Sequence, residues 1–399
     1  MKKAILIVLA IPVVAWLALF ATSEWMQRSV AARPWPNGLG GLDAVAARYP
    51  DHPATAAALA LTKLAVPLGV DIMPRQERFV PTPPSRKEFE AIQKPLGAYI
   101  TAQIERPSTA IDDAPPAVAT YLDAHRPQLD AVRAHVLSGA PIAWTVQLER
   151  GLDMPIPNML GHMELARLFI ADALRKARSG DAAAWDDLHA VWQLDAGLRP
   201  RPDLISQLIA LASTRMINAA AAKLPLPAPA WLAEVRAVDY RRSIVASMQS
   251  EANSWQSFTY GSGVRGFIAG PYVRLSAADA AEHMRAAFVD MANSNACDVD
   301  EEALMQAVQR SIPKWNILAN MGIPNISSVW QRVSRVTPEL ELTEKALQLR
   351  GGETPSPSSR CSDGRWVVTA ASVKFSRKLR GPKTGTNYPL ELAGLNLGH

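Results

Sequence analysis

The sequence predicts a mainly α fold: an irregular helical bundle or array with a single N-terminal transmembrane helix and a small C-terminal β hairpin. Three observations predict it. Residues 4–21 carry no charge and follow Lys2 and Lys3. Residues 41–350 are Ala-rich and interrupted by Pro, with apolar residues three and four apart. After Gly351 the chain turns to Gly, Ser and Pro, then to the β-rich runs Trp366-Val367-Val368-Thr369 and Val373-Lys374-Phe375. The expected divisions are an anchor or signal peptide over 1–31, a linker over 32–40, a helical domain over 41–350, and a β-hairpin appendage with a tail over 351–399.

With 399 residues, 48% hydrophobic and 20% charged, the chain is long and apolar enough for a large core, which excludes wholesale disorder. The net charge of +5 is too small to imply nucleic acid, and no nucleic-acid partner is expected. The first segment decides the expected compartment. Ala4 to Ala21 is 18 apolar residues, and continuing through Ser23 gives about the 20 that span a bilayer. Pro12 is tolerated in a membrane helix. Trp25 falls where an interfacial aromatic belongs, and the two lysines hold the short end in the cytoplasm. Residues 4–23 are therefore expected to contact the membrane. The expected location is the bacterial inner membrane, single-pass, with the C-terminal domain in the periplasm. The alternative is a cleaved signal peptide and secretion to the periplasm; against it, Ala21-Thr22-Ser23 is a weak cleavage pattern and the run exceeds a usual h-region.

Along the domain, Pro50 and Pro53 interrupt a helical segment over 41–67, and residues 68–84 read as loop. Ser85-Arg86-Lys87-Glu88 reads as a capping box opening a helix from 86 to about 105. Pro115 and Pro116 open a helix through Leu137, kinked at Pro127 and ended by Gly139. Met159, Met163, Ala166, Ile170 and Leu174 mark one face of the next helix, ended by Gly180. Helices over 181–198 and 203–223 follow as antiparallel neighbours. The first pair shares small packing residues and a Gly180-Asp181 turn with tetratricopeptide-like helix pairs; the pattern does not recur, so no repeat family is assigned. Residues 228–257 read as helix and 258–275 as a Gly- and aromatic-rich loop. Ser276 to Asp279 reads as a cap for a helix to about 293, with further helices near 300–310 and 325–350.

No nucleophile elbow, phosphate loop, dinucleotide fingerprint or H-E-x-x-H pattern is present. No metal site and no cofactor is expected. The candidate catalytic residues are His162, a lone histidine near a helix start that suits either a general base or a satisfied core position, Glu251, and Arg215, which interrupts an apolar helix and calls for a buried acid such as Glu251. Trp255, Phe258, Tyr260 and Tyr272 suit a pocket for a sugar or acyl chain, or a loop packed on the core. Cys297 and Cys361 can pair in an oxidising compartment or remain two buried thiols. Lys374, Arg377, Lys378, Arg380 and Lys383 form a basic cluster suited to lipid headgroups or glycans, or simply to solvent. The leading expectation is a membrane-tethered periplasmic interaction or scaffold protein with envelope protein partners. The alternatives are an envelope hydrolase acting on glycan or lipid, and a lipid- or small-ligand-binding module.

Overall fold

A computed structural model describes residues 2–74, 82–256, 264–323, 326–380, 387–388 and 390–395. Phe258, Tyr260 and Lys383 lie outside them. Fifteen α-helices and five short strands are present among the described residues.

The chain opens with α1 (Lys2–Ala32), a single helix that contains Pro12. The segment after it is no free linker. Trp35 and Leu39 are buried, and the Trp35 N–H donates to the Gly40 carbonyl at 2.8 Å. Gln249 donates to the carbonyls of Gly40 and Gly41. Pro50 and Pro53 do divide the next stretch, into α2 (Ala44–Arg48) and α3 (Ala56–Ala65).

α4 (Pro83–Glu105) starts before the predicted capping box. Its first turn is Pro83-Pro84, whose fixed φ is already helical. Ser85 therefore lies inside the helix, and its hydroxyl donates to the Thr82 carbonyl. His125 separates α5 (Pro116–Ala124) from α6 (Arg126–Val136), where Pro127 occupies the first turn.

α7 (Met159–Arg178) is the central helix. Residues 164–166 and 168–174 are buried on every side, as befits a core helix. Asn158 caps it by accepting from the Gly161 N–H, and a Cβ at Gly161 would strike the Asp71 carbonyl oxygen. α7 packs against α4, α8 (Ala184–Leu194) and α9 (Leu204–Ala221). Asp172 and Asp187, both fully buried, tie α6, α7 and α8 together: Arg133 reaches both carboxylates (3.2 and 2.6 Å), Lys176 reaches both (2.8 and 2.7 Å), and Arg126 reaches Asp172 at 3.0 Å.

By length and composition α9 is apolar enough to cross a membrane. It lies inside the protein instead, and its polar residues are matched there. Gln207 donates to three carbonyls, Thr214 meets the Tyr240 hydroxyl, and Asn218 donates to the Glu339 carbonyl.

α10 (Leu232–Ala237) and α11 (Tyr240–Gln256) cover the predicted helical stretch. From residue 264 onward the predicted loop, and with it the predicted cap at Ser276, gives way to one helix, α12 (Val264–Ala292), with Pro271 inside it and Ser276 buried at mid-helix; residues 258–263 of that loop lie outside the described residues. α13 (Glu301–Ser311), α14 (Ile317–Gly322) and α15 (Ile326–Arg350) complete the helical body.

The C-terminal unit is larger than the predicted hairpin. β1 (Trp366–Thr369) and β2 (Ser372–Phe375) pair antiparallel with Trp366 opposite Phe375. β5 (Glu391–Ala393) adds to the free edge of β2, while β3 (Leu379–Arg380) pairs with β4 (Asn387–Tyr388). The unit packs on α15 through Trp366, Val373, Phe375, Leu342 and Ala346. Glu341 accepts hydrogen bonds from the Trp366 indole, the Ser359 hydroxyl and the Arg360 N–H. Gly364 lies under Phe375, where a Cβ would come within 2.2 Å of the ring.

Cys297 and Cys361 are joined in a disulfide, with Cα atoms 5.5 Å apart, that ties the segment after α12 to this unit. It closes a loop of 64 residues. The double substitution Cys297→Ser/Cys361→Ser is expected to lower unfolding stability by about 4 kcal/mol or somewhat less. Urea denaturation without reductant measures it, and adding reductant should bring the parent protein to the variant's midpoint.

Candidate functional site

The residues proposed for catalysis are each engaged separately. His162 is fully enclosed on α7, with neither ring nitrogen hydrogen-bonded and the ring edge-on to Trp144 at 5.4 Å. Burial, reinforced by Arg201, pushes its pKa down to about 3, so the ring is neutral. Its neighbour Glu164 accepts from Gln93 (2.5 Å) and Arg86 (3.4 Å) of α4. Glu251 accepts from the Leu204 N–H at 3.2 Å, adding to the Asp203 cap at the start of α9. Burial raises its pKa. Arg215 does not meet Glu251: its guanidinium grips Glu339 of α15 with two contacts of 2.6 Å, pinning α9 to α15.

Of the four aromatic candidates, Trp255 and Tyr272 lie among the described residues, and both are on helices. Trp255 packs on the main core from α11. Tyr272 lies on α12, edge-on to Trp315, and its hydroxyl donates to the Trp315 carbonyl at 2.7 Å.

The basic cluster is largely spoken for. Lys374 pairs with Glu391, Arg377 with Asp298, and Arg380 with Asp300. The sulfurs of Cys297 and Cys361 lie within 4.8 Å of an Asp363 oxygen. Both sulfurs are used by the disulfide, and Asp363 accepts from the N–H groups of Cys297 and Asp298, so the cluster is structural.

Two open clefts are lined by other residues. One, about 540 Å³, has Asp51, His52, Thr145, Gln147, Glu149 and Arg150 on its walls. The other, about 420 Å³, has Arg236, Tyr240, Arg241, Thr337, Glu344 and Arg360. Both are more polar than the mostly apolar walls of a typical small-molecule pocket.

The feature that departs most from an ordinary protein surface is the free end of the α1–α12 pair. The two helices run parallel and in register. From this end towards the body, Trp16 stacks on Phe267 (4.4 Å), Glu24 pairs with Arg274, Arg33 pairs with Glu282 (2.8 Å), and Trp35 approaches Phe288 (6.4 Å). Arg274 also lies over the Phe20 ring at 5.0 Å. Below Glu24, Val30 enters the main core; above it, Ile11, Val14 and Leu17 are each more than half exposed.

Pro271 has no N–H, so the Phe267 carbonyl one turn earlier loses its helical partner. The Trp16 indole N–H donates to that oxygen at 3.2 Å. The sequence reading missed this arrangement; its one visible signal was a proline in an aromatic segment, which reads as a loop.

No protein-family model matches the chain, and no curated protein or solved structure shows significant similarity to it.

The buried histidine has a consequence for stability. Its pKa in the fold is about 3, against 6.5 ordinarily, so the unfolded chain alone takes up a proton as pH falls through 6.5. Stability is therefore lost from about pH 6.5 down to 3, by roughly 5 kcal/mol at most. Asp187 has the opposite sign. Burial and Asp172 push it up to about 6, so the fold binds its proton first and its contribution is lost as pH rises. His162→Leu is expected to flatten the acid limb between pH 6 and 4 in urea titrations; an unchanged limb would exonerate the histidine.

Proposed function

We propose that this chain is a single-pass protein of the bacterial inner membrane, held by α1, whose helical body lies in the periplasm and serves as an interaction or scaffold module for envelope partners. The observation that carries the reading is the exposed, uncharged stretch of α1 from Ile11 to Leu17. In water the side chains of Ile11, Val14 and Leu17 are each more than half exposed; moving that exposed part into hydrocarbon stabilises each by about 1–2 kcal/mol. Lys2 and Lys3 at its start support the orientation. The Cys297–Cys361 bridge supports an oxidising compartment.

The hydrolase alternative loses its nominated residues, because His162 is enclosed and Glu251 caps a helix. The ligand-binding alternative keeps only residues 258–263 of its loop, which lie outside the described residues, because residues 264–275 are helical. The helix pairs that suggested a partner groove form the core, so partner contacts fall to the outer surface and its two polar clefts.

The test is fractionation and topology together. The full chain expressed in a Gram-negative host should sediment with membranes and resist alkaline carbonate, and a periplasm-active reporter at its C-terminus should be on. Recovery of the intact chain in the soluble cytosolic fraction sinks the reading. Leu17→Arg should shift protein from the membrane pellet to the soluble or degraded fraction.

A further inference from the structure

We propose that α12 is a second membrane-contacting element: the apolar face that Val264, Phe267 and Ile268 form on the first two turns of α12 is immersed in the outer part of the bilayer beside α1. This rests on the tether reading above and adds to it a surface far from α1 in sequence, which the charge and hydropathy of the N-terminus say nothing about.

The register of the two helices sets the depth. Trp16 lies five residues inside the end of the apolar run at Ala21, which at 1.5 Å per residue is about 7.5 Å into the hydrocarbon. Phe267 stacks on Trp16 and so shares its depth. Glu24 lies three residues beyond Ala21, about 4.5 Å outside that edge, and its partner Arg274 shares that level, where charges meet headgroups. Eight residues separate Trp16 from Glu24 and seven separate Phe267 from Arg274, so both helices cross the boundary at the same level.

The side chains follow that boundary. On the lipid side of Arg274, Val264, Phe267 and Ile268 are 74%, 64% and 61% exposed, large apolar groups continuous with those of α1. Arg265 is the one charged residue from 264 to 273, and a long arginine stem can lie along apolar surface while its guanidinium reaches water. At the boundary Tyr272 and the exposed Trp315 stand together, the former donating to the latter's carbonyl, with Trp25 exposed on α1. Aromatics with a polar edge collect at that level of a membrane.

The backbone follows it too. An unpaired carbonyl is tolerated in water and costly in hydrocarbon. The carbonyl that Pro271 leaves free is the one that Trp16 satisfies from the neighbouring helix. A water-exposed helix end has no need of that donor.

The experiment places an environment-sensitive fluorophore on single introduced cysteines of the full, oxidised chain, reconstituted in vesicles of equal parts phosphatidylcholine and phosphatidylglycerol. Ile268→Cys reports α12, Leu17→Cys reports α1, and Leu59→Cys on α3 reports the body. Phe267→Cys serves where the Ile268 variant does not fold. The expected result is blue-shifted emission at Ile268 and Leu17, quenched by spin-labelled lipid and protected from iodide, with Leu59 open to iodide. A lipid-quenched Leu17 with an iodide-quenched Ile268 overturns the immersion of α12 and leaves the tether standing. Iodide quenching at Leu17 overturns the tether and this inference with it.

Discussion

The parallel pairing of α1 with α12 governs how the rest of the molecule is placed. It is held by contacts of different kinds along its length: ring stacking at Trp16, an ion pair at Glu24, another at Arg33, and core packing from Val30 to Trp35. Surface ion pairs contribute little, typically under about 1 kcal/mol each, so the packed root of the pair is what fixes the register. That root joins the main hydrophobic core, which also contains α7, α9, α11 and α15. Whatever environment α1 occupies is thereby imposed on the first turns of α12.

The body is stabilised conventionally but carries unusual buried polar groups. The Asp172–Asp187 network offsets two buried carboxylates with three cations, so removing one cation strands a charge in the core. Asp195 is enclosed as well, and burial raises its pKa well above the ordinary value despite Arg199 and Ser213 nearby. His162 is kept neutral by the same desolvation. These three cases show why a titratable residue in an apolar stretch is weak grounds for catalysis. Desolvation perturbs the group equally well where nothing can reach it.

Much of the architecture was legible locally. The three- and four-residue spacing of α7, the proline breaks around α2 and α3, the Gly180 turn and the alternating residues of β1 and β2 all express rules that act within a few residues. What failed depends on partners distant in sequence. α12 begins twelve residues before its predicted cap, because the Gly- and Pro-containing segment is packed on α1 and its broken backbone bond is supplied by Trp16, 251 residues away. Arg215 found Glu339, 124 residues on, where the nearer Glu251 had been expected. The edge of β2 is completed by β5, from a stretch read as tail. The capping box at Ser85 failed locally: Pro83-Pro84 is a stronger start than a serine hydroxyl. The candidate site was legible only in half, since the oily N-terminal run is visible in any window and its continuation on α12 is visible only in three dimensions.

A rigid root changes what a tether does. A flexible linker lets a domain sweep a volume set by its length, and the benefit is a raised effective concentration toward anything within reach. Here, within residues 32–40 where such a linker was expected, Trp35 and Leu39 are buried in the core and the Gly40 carbonyl accepts from Gln249. On the tether proposed above, a body fixed to α1 in this way would have one orientation relative to the bilayer. Under that proposal, encounters with envelope partners would be selected by angle as well as by distance, and only surfaces turned away from the free end of α1 and α12 would be available to them.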